Sequence, residues 1–193
     1  MLASKSSCSD IKARSRLIEI VSQRSLLRDT DITLASGLNS NFYFDMKQTA
    51  FHPEGASLIG DLMLDALIDL SVSYVGGLEM GAVPLVTCVV QRSVHYSPIG
   101  GFFVRKQPKP HGTRRLIEGL HKDESLNGKT VVLLEDVTTT GNSVIRAVEA
   151  VRAEGANIPF VLTLLDRLSG AQENLARHDI SLKAILTVDD FTI

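Results

Sequence analysis

The sequence has no tryptophan, only 2 cysteines and just 5% aromatic residues. Cys8 and Cys88 lie far apart, with neither the paired spacing of a zinc site nor a disulfide framework, which suits a reducing cytoplasm. Cys8 is expected at the surface and Cys88 buried in a helix. No apolar run approaches the roughly 20 residues needed to span a bilayer. The polar start, Met1 to Ser9, lacks the apolar stretch of a secretory signal and reads as a frayed arm. Neither sign of charge dominates: Lys and Arg total 20 against 22 Asp and Glu, a formal net charge of −2. That balance argues against a nucleic-acid coat or a membrane-surface protein. Repeats, low-complexity tracts and linkers are missing too. What remains is a chain 44% hydrophobic and 22% charged, able to bury a normal core. Its length suits a single domain over 1–193, with a small N-terminal hood over about 1–50 and a core over about 51–193.

Alternating element signals give the fold class. Asp10 caps a helix expected to run to about Leu27, striped by Ile11, Leu17, Ile18 and Val21. Ile32 to Leu34 and Asn41 to Met46, around a turn at Ser36-Gly37, read as a hairpin. Pro53 opens a helix with Leu58, Ile59, Leu62, Leu67 and Ile68 facing inward. Strands are expected at Ser73–Val75, Ile99–Val104, Val131–Leu134, Phe160–Leu165 and Leu182–Val188, with helices over Ala82–Val94, Val144–Ala153 and Ala171–Arg177. Elements of these lengths in this order predict an α/β protein with a mainly parallel, twisted sheet flanked by helices.

The densest chemistry lies at Val131-Val132-Leu133-Leu134-Glu135-Asp136-Val137-Thr138-Thr139-Thr140-Gly141-Asn142-Ser143. Four branched apolar residues read as a buried strand. The polar stretch after them reads as a loop opening the helix at Val144, and such a loop is a natural anion site. It is no Walker loop, because the terminal Gly-Lys-Ser/Thr is absent. Carboxylates repel phosphate oxygens, so Glu135 and Asp136 would be out of place in a loop built for phosphate alone. They suit the vicinal hydroxyls of a ribose, or a divalent metal. The loop reads as a sugar-phosphate site.

A second constellation is cationic. Arg105-Lys106-Gln107-Pro108-Lys109-Pro110-His111-Gly112-Thr113-Arg114-Arg115 lies between two strand signals, and its prolines and glycine keep it irregular. Such a segment is either a solvated loop or a lid that closes on an anion. His52, His95, His121 and His178 show no ligand spacing, and Met63 and Met80 read as packing residues.

The acidic segment resembles the 5-phosphoribosyl-1-pyrophosphate (PRPP) signature of the type I phosphoribosyltransferases. Phe103-Val104-Arg105-Lys106-x-x-Lys109-x-His111-Gly112 resembles the catalytic loop of the orotate phosphoribosyltransferases. Gly76 to Pro84, Leu165-Asp166-Arg167 and the hairpin around Ser36-Gly37 and Phe42 to Asp45 fit the same family in the same order. The resemblance spans roughly residues 10 to 190. It implies a type I phosphoribosyltransferase fold, transfer of the 5-phosphoribosyl group of PRPP to orotate in pyrimidine biosynthesis, and a homodimer with shared sites. It also implies Mg2+ held mainly through PRPP, without direct protein ligands.

By the same resemblance, Arg105, Lys106, Lys109 and His111 contact the phosphates of PRPP, Arg105 and Lys109 from across the dimer. His111 either positions phosphate or delivers a proton to the leaving group. Glu135 and Asp136 take the ribose hydroxyls. The segment Val137, Thr138, Thr139, Thr140, Gly141, Asn142 and Ser143 takes the 5′-phosphate, and Thr139 and Arg167 take orotate. Arg167 would grip the orotate carboxylate or else form a surface ion pair with Asp166; Tyr43 or Phe44 either flanks the base or packs in the core. Many relatives carry lysine where this chain has Ala35 and Met80, and Lys47 stands near enough in sequence to compensate. A phosphoribosyltransferase for another base and a non-catalytic PRPP-sensing regulator are the alternatives.

Overall fold

Strand β7 (Val131–Thr138) shows why the sheet is buried on both sides. Its alternate side chains enter different cores: Val132 and Leu134 join one apolar cluster, Val131 and Leu133 the other, and all are fully buried. The computed structural model describes residues 8–33, 39–108 and 116–193. Among these, helix α1 (Cys8–Arg24) leads into an antiparallel pair, β1 (Leu26–Thr33) and β2 (Asn39–Phe44). A single turn, α2 (Lys47–Ala50), precedes α3 (Pro53–Asp65), where Pro53 occupies the first turn and the His52 imidazole accepts from the Gly55 amide at 3.3 Å.

Next come β3 (Tyr74–Gly76), α4 (Ala82–Ser93), β4 (Gly100–Gly101), and the short antiparallel pair β5 (Phe103–Val104) and β6 (Ile117–Glu118). After β7 follow α5 (Asn142–Ala153), β8 (Phe160–Asp166), α6 (Ala171–Ala176) and β9 (Ser181–Thr187). The main sheet is parallel, with strand order β4-β3-β7-β8-β9. From β3 the chain goes first to one side, to β4, and then to the other, to β7. The strand order therefore reverses between β3 and β7, and the crevice beyond their carboxyl ends is where open α/β sheets bind ligands. Helices α1, α3 and α4 cover one face; α5 and α6 cover the other.

Several sequence expectations need correction. Glu135 and Asp136 are not in a loop: β7 continues through them, with Glu135 opposite Thr163 and Thr138 opposite Asp166. Polar residues usually end a buried strand, but here neighbouring β8 extends the ladder past the apolar run. The stretch Ile99–Val104 is not one strand; it is divided between the main sheet and the small pair. Helix α1 stops at Arg24, and Leu26-Leu27 already pair with Phe44 and Tyr43. Ile68 is exposed rather than inward, because α3 ends at Asp65. Met63 is packed as expected, whereas Met80 is 63% exposed at the crevice. Cys88 lies in α4 but is only half-buried. The turn at Ser36-Gly37 and position Ala35 lie outside the described residues.

Candidate active site

At the point of strand reversal lies a cavity of about 340 Å³, lined by Tyr43, Phe44, Lys47, Leu78, Glu79, Met80, Gly81, Lys106, Glu135, Asp136, Val137, Ser143 and Arg167. Its floor is the end of β7. One wall is the segment following β3, which comes so close that a Cβ on Gly81 would sit 2.3 Å from the Asp136 carboxylate. A side chain there would push the Asp136 carboxylate aside. At the other end of the polar segment Gly141 adopts φ +79°, a left-handed conformation that costs glycine little, and opens α5. The first turn of α5, whose backbone amides have no acceptor within the helix, borders the same cavity through Ser143.

The carboxylates are unusual in their burial. Glu135 is 8% exposed; its Oε1 accepts from the Ser143 hydroxyl at 3.4 Å, while Oε2 is buried with no hydrogen-bond partner among the described residues. Loss of water, reinforced by the charge of Asp136, pushes the Glu135 carboxyl up to about 8; the Ser143 hydroxyl and Lys106 act in the opposite sense. Burial also raises Asp136, against the Val137 amide and the charge of Lys47. An acid without a full set of partners in a crevice is a binding group waiting for donors. Hydroxyls of a sugar are such donors.

Cations stand opposite. The Lys47 ammonium lies 2.5 Å from the Asp45 carboxylate at the cavity wall, and that bond raises its pKa. Arg167, following β8, is 9% exposed and stacks on the Phe42 ring, with its guanidinium carbon 4.3 Å from the ring centre. Burial lowers its pKa, and it lines the cavity rather than the surface. Asp166 serves its own turn, accepting from the Leu168 amide at 3.0 Å. Phe44 is 3% exposed and packs edge-on against Phe191, whereas half-buried Tyr43 is free to border a planar ligand.

A phosphoribosyl transferase domain model matches residues 48–192 of the chain. An orotate phosphoribosyltransferase from Rhodopseudomonas palustris (strain BisB5) is 51% identical over 180 residues, covering 93% of this chain and 96% of that protein. Another, from Bradyrhizobium sp. (strain BTAi1 / ATCC BAA-1182), is 48% identical over 180 residues, covering 93% and 97%. This chain belongs to the orotate phosphoribosyltransferase family. The solved orotate phosphoribosyltransferase of Mycobacterium tuberculosis H37Rv in complex with 5-phospho-alpha-D-ribosyl 1-diphosphate shares the fold, with a TM-score of 0.74 at 34% identity over 92% of this chain and 98% of that one.

The crevice of this chain brings together Lys106, Glu135, Asp136, Val137, Ser143 and Arg167. Arg105 turns away from it towards Glu118 on β6, at 3.3 Å. Thr138 is 1% exposed, and its carbonyl accepts from the Arg167 amide at 2.9 Å, which ties the acidic segment to the arginine. Thr139 and Thr140 are half-buried beside it, and Asn142 is exposed. Lys109 and His111 lie outside the described residues.

Sequence reasoning missed Asn174 on α6, whose amide donates to the Thr140 carbonyl at 2.7 Å and to Asn142 Oδ1 at 2.8 Å, pinning the loop. No local pattern announces a residue that acts from another helix. Glu79, also missed as a site residue, was hidden in a segment noticed only for its glycines. Among the described residues no group of three or more His, Cys, Asp or Glu side chains gathers to hold a metal. No helix among them is long and apolar enough to cross a membrane.

Proposed function

We propose that the crevice binds PRPP and orotate, and that the chain transfers the 5-phosphoribosyl group to a ring nitrogen of orotate. The C1′–oxygen bond to pyrophosphate breaks, the C1′–nitrogen bond forms, and the nitrogen's proton leaves with the products, orotidine 5′-phosphate and pyrophosphate. The observation carrying this reading is the placement of Glu135 and Asp136, half-solvated at best, at the end of β7 directly before the amides of α5. The carboxylates hold the ribose hydroxyls. The amides from Val137 to Ser143, with nearby hydroxyls, hold the 5′-phosphate. Arg167, clamped between Phe42 and the sheet, presents a planar fork to the carboxylate of orotate, assisted by Thr139.

Breaking the C1′ bond leaves charge on the pyrophosphate while the ribose becomes oxocarbenium-like. Cations placed where that charge appears stabilise the transition state more than the ground state. Arg105, Lys106, Lys109 and His111 take this role, Arg105 and Lys109 within a homodimer whose sites are shared. Mg2+ carried on the PRPP diphosphate would supply positive charge to the leaving group, and the unsatisfied oxygen of Glu135 would offer it an outer contact. Lys47, beside Asp136, supplies a positive charge at the wall where Met80 has none. The chain acts as one domain in the cytoplasm, making pyrimidine nucleotides, with β1 and β2 as the hood; the shared core of α1 with α3 and the sheet supports that unity.

Purified protein incubated with PRPP, Mg2+ and a panel of bases tests the reading, with nucleotide formation as the readout. Orotate should be the preferred acceptor. Faster reaction with hypoxanthine, adenine or uracil would overturn the assignment, because those bases carry no carboxylate for the Arg167 guanidinium to grip.

A further inference from the structure

Lys106 is the first cation of the basic segment whose side chain reaches the crevice, and its main chain is held from two directions. The Lys106 amide donates to Glu79 Oε1 at 2.8 Å. The Lys106 carbonyl accepts from Arg146 Nη2 at 2.9 Å. Glu79 belongs to the wall following β3, and Arg146 to the second turn of α5. We infer that Glu79 and Arg146 are positioning residues, which clamp the Lys106 peptide between the two walls of the crevice and so set where the cationic segment enters it. The inference rests on the function proposed above.

The clamp extends a regular pattern. The Val104 amide donates to the Gly77 carbonyl at 2.8 Å, and the Glu79 amide donates to the Val104 carbonyl at 2.8 Å. Leu78 and Val104 thus form a parallel bridge. Backbone pairing ends there, since Lys106 lies two residues beyond the end of β5. The Glu79 carboxylate replaces the next backbone acceptor and carries the pairing one step further. From the opposite side Arg146, charged and long enough to cross from α5, satisfies the carbonyl of the same residue, in the next peptide group. Both bonds involve an ionised partner, and such bonds are shorter and stronger than neutral ones. A misplacement of about 1 Å at a transition-state cation is enough to cost about a hundredfold in rate. Bonds to both peptide groups that flank the Lys106 Cα oppose such a drift.

The clamp also links the parts functionally. Helix α5 begins at the 5′-phosphate loop, and the Glu79 segment faces Asp136 through Gly81. The two contacts on Lys106 thus connect both walls of the crevice to the entry of the cationic segment.

Steady-state kinetics and amide exchange test this together. Arg146→Ala should lower kcat about tenfold or more while leaving the KM for PRPP within about threefold. Arg146→Lys, which keeps a donor, should recover part of the loss. Glu79→Gln, which keeps an acceptor of the same shape, should do less damage than Glu79→Ala. Independently of turnover, the Lys106 amide should exchange at least tenfold faster in Glu79→Ala than in the wild type, with an unchanged melting temperature. Wild-type kcat in Arg146→Ala, or unchanged exchange in Glu79→Ala, would overturn the clamp. Absence of orotate-dependent pyrophosphate release from the wild type would instead overturn the proposed function, and the exchange measurement would still decide on the clamp.

Discussion

Glu135 and Asp136 stand on the middle strand of five, flanked by β3 and β8 and backed by apolar clusters on both faces. Lys106 stands just beyond a strand of two residues, at the root of an excursion joined to the main sheet through the Leu78–Val104 bridge. The acids are held by buried apolar packing on both faces of the sheet; the cation is held by individual hydrogen bonds. The difference matches the two chemical tasks. A sugar phosphate must be gripped in one geometry throughout, so its site belongs on the rigid sheet. In the proposed reaction leaving-group charge appears only at the transition state, and the cation proposed to meet it stands at the margin of the sheet rather than on it.

The largest way to break this comparison is at Lys109. Lys109→Ala should lower turnover by about 10²–10³-fold with PRPP affinity little changed, measured by single-turnover kinetics and equilibrium binding. An unchanged rate would show that the cationic segment takes no part in the reaction. Next in size is the acidic wall: Asp136→Asn should lower kcat/KM for PRPP about a hundredfold, with weaker PRPP binding seen by calorimetry. If binding persisted, the carboxylates would not be the sugar grip. Smaller, and confined to one substrate, is the effect at Arg167. Arg167→Ala should raise the KM for orotate about tenfold or more while the KM for PRPP holds, and Arg167→Lys should restore little, because the fork geometry is lost.

The smallest effect concerns stability rather than rate. Glu135 has a carboxyl pushed from 4.5 up to about 8, so in the empty protein it keeps its proton across that window. The unfolded chain has already released the proton there. The unfolded state binds fewer protons, and the stability of the empty protein therefore falls as pH rises from 4.5 to 8. Glu135→Gln should flatten that decline and raise stability at pH 8.5 by on the order of 3 kcal/mol, read as a melting temperature about 5 °C or more higher. An equal slope in both proteins would mean that Glu135 is ionised in the empty crevice.

Legibility in the sequence differed between the same two regions. The acidic segment was readable because each of its constraints is local: branched residues for a buried strand, glycine for the turn, hydroxyls and amides for phosphate. Even so, the end of β7 was misplaced, since local polarity says nothing of the long partner strand β8 that carries pairing through Glu135 to Thr138. The basic composition at 105–115 was equally plain, but its anchoring was not. Arg105 pairing with Glu118, and Lys106 held by Glu79 and Arg146, join residues far apart in the chain. Arg167 was legible as a cation after a strand; its stacking on Phe42, which turns it into the crevice, was not.

Residue order alone settled the α/β class, the buried strand that leads to the carboxylates and the kinds of group available to bind an anionic sugar. These follow from hydrophobic period and side-chain chemistry, which act over a few residues. Tertiary structure decided that strand order reverses between β3 and β7, and so where the crevice opens. It also decided that burial would leave Glu135 protonated near neutrality and would aim Arg167 inward. Desolvation and mutual orientation depend on what distant segments pack together, and no local pattern specifies that.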